Sequence, residues 1–156
     1  MKKKISVIVI ICLSILFVVL FNKYNNPLKT IDSSKIIAIT YKEENTENEL
    51  RYKCTDLDIN NEIVEYLSEL ELKKVKATSI SYNNIDSYSY ALLTIVLDEN
   101  NSYSYIHIRD IMLEDCKSMS INSQKRWFNS GSFKVRKESI DIKYIRELLK
   151  NNKSQN

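Results

Sequence analysis

The feature that most constrains this chain is an uncharged run of 17 residues, Ile5 to Phe21, set directly behind Lys2-Lys3-Lys4. Only Ser6, Cys12 and Ser14 interrupt its aliphatic and aromatic side chains. As a helix the run reaches about 26 Å, slightly short of a ~30 Å hydrocarbon core. Asn22, Lys23 and Tyr24 make up the difference, because lysine snorkels and tyrosine suits the interface. A helix apolar on every side has no polar face to turn to water, which separates this run from an ordinary surface helix. The run is therefore read as a transmembrane signal anchor over residues 1–24. The lysine excess on its N-terminal side places the N-terminus in the cytoplasm and the remainder outside. Leu16 to Lys23 offers no small residues for signal cleavage, and Cys12 follows Ile10-Ile11, which does not suit lipidation.

The anchor also explains the charge. The chain is formally +3, but Lys2, Lys3, Lys4 and Lys23 account for more than that; from Asn25 onward 19 basic residues face 20 acidic ones. A domain of net −1 lacks the field that neutralises phosphates, so no nucleic-acid partner is expected. About 130 residues suffice for one domain with one core. With a single glycine, Gly131, and a single proline, Pro27, turns fall to Asn and Asp.

Residues 25–34 are polar and Asn-rich and read as a linker, and residues 151–156 as a disordered tail. Between them, 35–150 reads as α+β: a mainly antiparallel sheet and two helices. Lys35 to Tyr41 has the β-branched density of a strand, with Leu50 to Cys54 as its hairpin partner. Asp58 or Asn60 is expected to cap a helix running to about Leu70 or Leu72, its apolar face carrying Ile59, Ile63, Tyr66, Leu67 and Leu70. A closing helix has Ser139 as its expected cap, Asp141 in the first turn, and Ile142, Ile145, Leu148 and Leu149 inward. Val75 to Tyr82 reads as a strand. Tyr88 to Leu97 and Ser102 to Asp110 read as a hairpin around Asp98-Glu99-Asn100-Asn101. Further strands are expected near 117–123, 126–128 and 132–137.

Alternation divides the hairpin cleanly. Ala91, Leu93, Ile95 and Leu97, opposite Ser104, Ile106 and Ile108, form a core face. Tyr88, Tyr90, Leu92, Thr94 and Val96, opposite Tyr103, Tyr105, His107 and Arg109, form an aromatic, half-polar face. On that second face Tyr88, Tyr90, Tyr103, Tyr105, His107 and Arg109 are the candidate binding residues, suited to a glycan, a peptide or another envelope protein. The same tyrosines also stabilise cross-strand pairs with no ligand at all.

Catalytic and metal chemistry find little support. One histidine, His107, excludes a multi-His metal site, and its mid-strand position reads as sheet surface. No nucleophile elbow, zinc-protease string or Gly-rich phosphate loop occurs. The pairs Glu43-Glu44 and Glu114-Asp115 show no pattern of burial that separates two carboxyl pKa values. No cofactor is expected. Cys54 and Cys116 share the extracytoplasmic side in this topology. A bridge between them is worth about 4 kcal/mol in the chain-entropy view; two free thiols are the alternative.

The layout resembles the small anchored or lipid-linked ectodomains of unknown function common in Gram-positive bacteria. The resemblance is carried by the lysine-rich anchor, the opening strand Lys35-Ile36-Ile37-Ala38-Ile39 and the helix segment Glu62-Ile63-Val64-Glu65-Tyr66-Leu67. The tyrosine-rich hairpin, Tyr88 to Arg109, and the closing helix, Ile140 to Leu149, complete it. It implies a single-pass membrane protein with a non-enzymatic binding or adaptor domain in the bacterial envelope, and it transfers no catalytic residue. The second reading is an immunity or ligand-sensing protein that meets a toxin, peptide or glycan on the tyrosine face.

Overall fold

The structure, a computed structural model, describes residues 9–17, 26–44, 49–76, 90–99, 102–112, 117–125 and 128–151. Residues 9–17 form a helix, α1, whose Val9, Ile10, Ile11, Leu13, Ile15, Leu16 and Phe17 are 51% to 69% exposed. Ser14 returns its hydroxyl to the Ile10 carbonyl at 2.9 Å, so this polar side chain is satisfied within the helix. Among the described residues no helix is long and apolar enough to cross a membrane. The rest of the run, 5–8 and 18–21, lies outside them.

The domain is α+β. Seven strands, β1 (Ile36–Glu44), β2 (Glu49–Cys54), β3 (Leu72–Val75), β4 (Tyr90–Asp98), β5 (Tyr103–Met112), β6 (Ser118–Ser123) and β7 (Gly131–Val135), form one antiparallel sheet in the order β2-β1-β4-β5-β6-β7-β3. Helix α2 (Leu57–Glu69) carries the chain from one edge strand, β2, to the other, β3. Helix α3 (Ile142–Asn151) closes the fold. Both helices join the sheet in a single hydrophobic cluster.

Alternation holds where it was clearest. Leu93 pairs with Ile108, Ile95 with Ile106 and Leu97 with Ser104, and all six are buried. Tyr41, Met119, Ile121 and Phe133 continue this face across the sheet, beneath Ile63, Leu67, Ile145 and Leu149 of the helices. Glu99 and Ser102 exchange both backbone hydrogen bonds, at 2.9 and 3.2 Å, and so close the β4–β5 hairpin.

Several boundaries differ from the sequence reading. The cap of α2 is Asp56, two residues earlier than expected; its Oδ1 accepts from the amides of Asp58 and Ile59 at 3.0 and 3.3 Å. At α3 the capping side chain is Asp141 rather than Ser139, accepting from the Tyr144 amide at 3.0 Å. The third strand lies at Leu72–Val75, ahead of the expected stretch, because pairing with β7 selects it; residues 77–89 lie outside the described ones. Phe128 sits in a bend and is buried, whereas 126 and 127 are not among the described residues.

The polar stretch 25–34 does not hang free from Asn26 onward. Pro27–Thr30 and Ser33–Lys35 are short 3-10 turns, and Asn26 and Leu28 are buried. Asn26 Nδ2 donates to the carbonyls of Leu67, Ser68 and Leu70 at 2.8, 3.0 and 3.1 Å, the unsatisfied end of α2. Its Oδ1 accepts from the Leu28 amide at 2.9 Å. One asparagine therefore fastens the start of the domain to the C-terminus of α2.

Candidate functional site

The helices cover one side of the sheet. On the other, neighbouring strands bring Thr40, Thr94, His107 and Asn122 into one transverse row, since Thr40 pairs with Thr94, Thr94 with His107 and His107 with Asn122. Among the described residues no helix or strand packs on this open face. Tyr105 and His107, two apart on β5, point the same way, and their rings stack with centroids 6.2 Å apart and planes 4° from parallel. His107 Nδ1 lies 3.0 Å from the Thr94 hydroxyl. Partial burial, with the nearby Arg109 charge as the lesser cause, holds the imidazole below its ordinary range and so favours the neutral ring. Arg109 itself is exposed, and Tyr103, at the hairpin end, is 64% exposed.

Of the six candidate residues, the structure thus brings Tyr105, His107 and Arg109 together, with Tyr103 at the end of the same strand. Tyr90 opens β4, paired with Glu44 and Met112, but its side chain is not described, and Tyr88 lies outside the described residues. Cys54 is a buried free thiol, its Sγ 3.9 Å from the Asp56 carbonyl oxygen, and burial pushes it above the ordinary thiol range. Cys116 lies outside the described residues.

Sequence reasoning passed over two features. The first is a depression of about 470 Å³ on the open face, lined by Thr40, Tyr41, Lys42, Arg51, Tyr52, Lys53 and Leu92. Alternation in Arg51-Tyr52-Lys53-Cys54 already held the signal: Tyr52 and Cys54 are buried, so Arg51 and Lys53 face the other way. Lys73, Arg109 and Lys134 lie on this face by the same rule, exposed and with no ion-pair partner among the described residues. Acids gather on another element: α2 carries Asp58, Glu62, Glu65 and Glu69, all exposed, and no cation. Net neutrality conceals a segregated charge.

The second is Glu43, which is buried rather than on the surface. It receives the Tyr41 hydroxyl together with Arg146 Nε and Nη2, at 2.7 and 2.6 Å, so that strand β1 is tied to α3. Burial, followed by Glu43, drives the Tyr41 hydroxyl far above the ordinary phenol range. Every group here is already engaged by another protein group, as in a structural network. A smaller cleft of about 260 Å³ lies where α2 meets β7, lined by Tyr66, Leu70, Glu71, Val135 and Lys137 among others. Among the described residues no cluster of His, Cys, Asp or Glu is placed to hold a metal ion.

Compared with known family models, curated proteins and solved structures, the chain matches none.

Proposed function

We propose that this chain is a membrane-tethered binding domain of the bacterial envelope, non-enzymatic, which meets its partner on the open face of its sheet. The observation that carries the reading is α1, apolar and exposed on all sides, placed ahead of a domain whose sheet, among the described residues, has one face without a helix on it and holds there a Tyr–His stack among cations. A helix of that kind is stable in lipid and costly in water. The lysines before it orient the domain outward. The resemblance to anchored Gram-positive ectodomains points the same way. The immunity or ligand-sensing reading uses the same face, and a toxin, peptide or glycan would rest on Tyr103 and Tyr105.

The test uses Ser102→Cys, at the exposed hairpin end. Intact cells are treated with a membrane-impermeant maleimide, and membranes are then washed with alkaline carbonate. Labelling at residue 102 of a chain retained in the membrane supports the reading. Labelling only after permeabilisation places the domain inside and overturns the topology; release by carbonate overturns the tether. Tyr103→Ser with Tyr105→Ser separates the second reading, since it removes an aromatic-dependent ligand and leaves the tether intact.

A further inference from the structure

We propose that the open face lies against anionic phospholipid headgroups, on the membrane that holds the domain. The inference rests on the tether proposed above, but not on which leaflet the domain meets.

Three observations converge on it. The first is charge. Lys53, Lys73, Arg109 and Lys134 project from one side of the sheet, with Lys42 and Arg51 in the depression beside Lys53. Asp98, at the hairpin end, and Glu71 are the acids near this face among the described side chains, and Glu71 is already bound by Lys137 at 2.5 Å. The acidic surface of α2 lies beyond the core, a packing layer of roughly 10 Å away. Around the outside of the domain the path is longer still and runs through salt water, where charges more than a Debye length of about 8 Å apart are largely screened. The acids of α2 therefore weaken the field of the face without cancelling it.

The second is proximity. Four residues separate Phe21 from Asn26, and Asn26 is pinned to the end of α2. The five steps from Phe21 to Asn26 span at most about 18 Å even when extended. The domain cannot leave the surface, so weak contacts per cation act at high local concentration. The tether leaves the domain at Asn26 on the helix side and does not by itself choose a face. The four exposed acids of α2 are repelled by anionic lipid and the cations of the sheet face are attracted, and that difference sets the orientation.

The third is form. The face is broad and carries Tyr103 exposed at its end, a side chain that suits the boundary between headgroups and water. The depression beside exposed Lys53 has room for a phosphate with its ester neighbours.

The experiment reconstitutes the full chain into nanodiscs of phosphatidylcholine, with and without phosphatidylglycerol. A water-soluble amine reagent is applied and each lysine read by mass spectrometry. Lys53, Lys73 and Lys134 report the open face; Lys143 and Lys150, exposed on α3, serve as internal controls. The expected result is protection of the first three in anionic discs only, lost on raising salt. Lys53→Gln should weaken the protection of Lys73 and Lys134 about five-fold, the share of one cation near an anionic surface. Equal labelling in both disc types overturns the inference while leaving the tether standing. Loss of the chain from discs of both compositions overturns the tether, and the inference with it. Protection by added polyphosphate in neutral discs, with none from anionic discs, overturns the lipid and assigns the face to a soluble polyanion.

Discussion

Replacing Asn26 with alanine tests whether the start of the domain is fastened or free. Asn26 is 3% exposed and makes four contacts: three donated to the carbonyls that end α2 and one accepted from the Leu28 amide. Its amide has two hydrogens for three carbonyls, so one bond is shared and the side chain is worth three full bonds. Each is worth about 1 kcal/mol net, and a buried group left without its partner costs about 1–3 kcal/mol. The Ser68 carbonyl is only partly buried and can turn to water, whereas those of Leu67 and Leu70 cannot. The expected loss is about 3 kcal/mol, close to a 10 °C fall in midpoint for a domain of roughly this size. Cys54 supplies the assay, because its buried thiol gains reactivity only on unfolding. Urea titration of the full chain in detergent, with a thiol pulse read at the Cys54 peptide, gives the stability directly. Asp32→Ala is the control: it removes a fully exposed cap that holds the Ser34 amide at 3.1 Å and should leave the midpoint close to that of the unaltered chain. Asn26→Asp keeps the shape but sets a carboxylate against the negative end of α2. It should be at least as damaging at neutral pH and recover as pH falls and the carboxyl protonates. An Asn26→Ala midpoint equal to that of Asp32→Ala would refute the reasoning and return residues 26–34 to the status of a linker.

Arg146→Ala strips Glu43 of its cation while leaving the Tyr41 hydroxyl; because Arg146 is about one third exposed, a loss of about 1–2 kcal/mol is expected by the same titration. Gly131 has φ +155°, and a Cβ there would meet Lys74 Cε at 2.6 Å, a side chain held by Asn129 Oδ1 and the Ser130 carbonyl. Gly131→Ala should cost about 1–3 kcal/mol, partly restored in combination with Lys74→Ala, and a neutral Gly131→Ala would exclude the strain. His107 should titrate below 6.5 by NMR. Its folded-state value is depressed, so the unfolded chain takes the proton first, and stability falls as pH drops from 6.5 toward the folded value. Arg109→Ala should raise the titration only part of the way, since burial is the larger cause; a full return to 6.5 would reverse that order.

What could be read from the sequence was whatever depends on neighbours in the chain. The faces of β4 and β5 emerged because each residue's side is set by parity alone, and Leu93–Ile108 and Ile95–Ile106 then share a face. The caps were off by two residues for a local reason. Asp56, Asp58 and Asn60 are all competent caps, and only the path out of β2 decides that Asp56 has the extended backbone a cap needs. Glu43 and Asn26 were hidden for a different reason: their partners, Arg146 and Leu67, lie 103 and 41 residues away, and no pattern within a strand or turn announces them. A buried carboxylate beside another acid reads as surface until the distant arginine is placed. The third strand was displaced because Leu72-Lys73-Lys74-Val75 has little β-propensity of its own and is held there by β7.

The open face shows how a correct sum can mislead. Summed over the domain, charge is nearly neutral, and from that sum no nucleic-acid partner is expected. Taken strand by strand, the same residues separate: alternation sends Arg51, Lys53, Lys73 and Lys134 outward beside buried Tyr52, Cys54, Leu72, Phe133 and Val135, while α2 collects acids alone. Core formation and charge segregation are thus one event in this fold, since each apolar residue turned inward turns its charged neighbour to the open side. Stability and recognition are separable for the same reason. The Asn26 clamp, the Glu43–Arg146 pair and the hydrophobic cluster all lie on the helix side. Exposed surface cations contribute little to folding. Substitution of Lys53, Lys73 or Lys134 should therefore change what the face attracts while the domain beneath it stays folded.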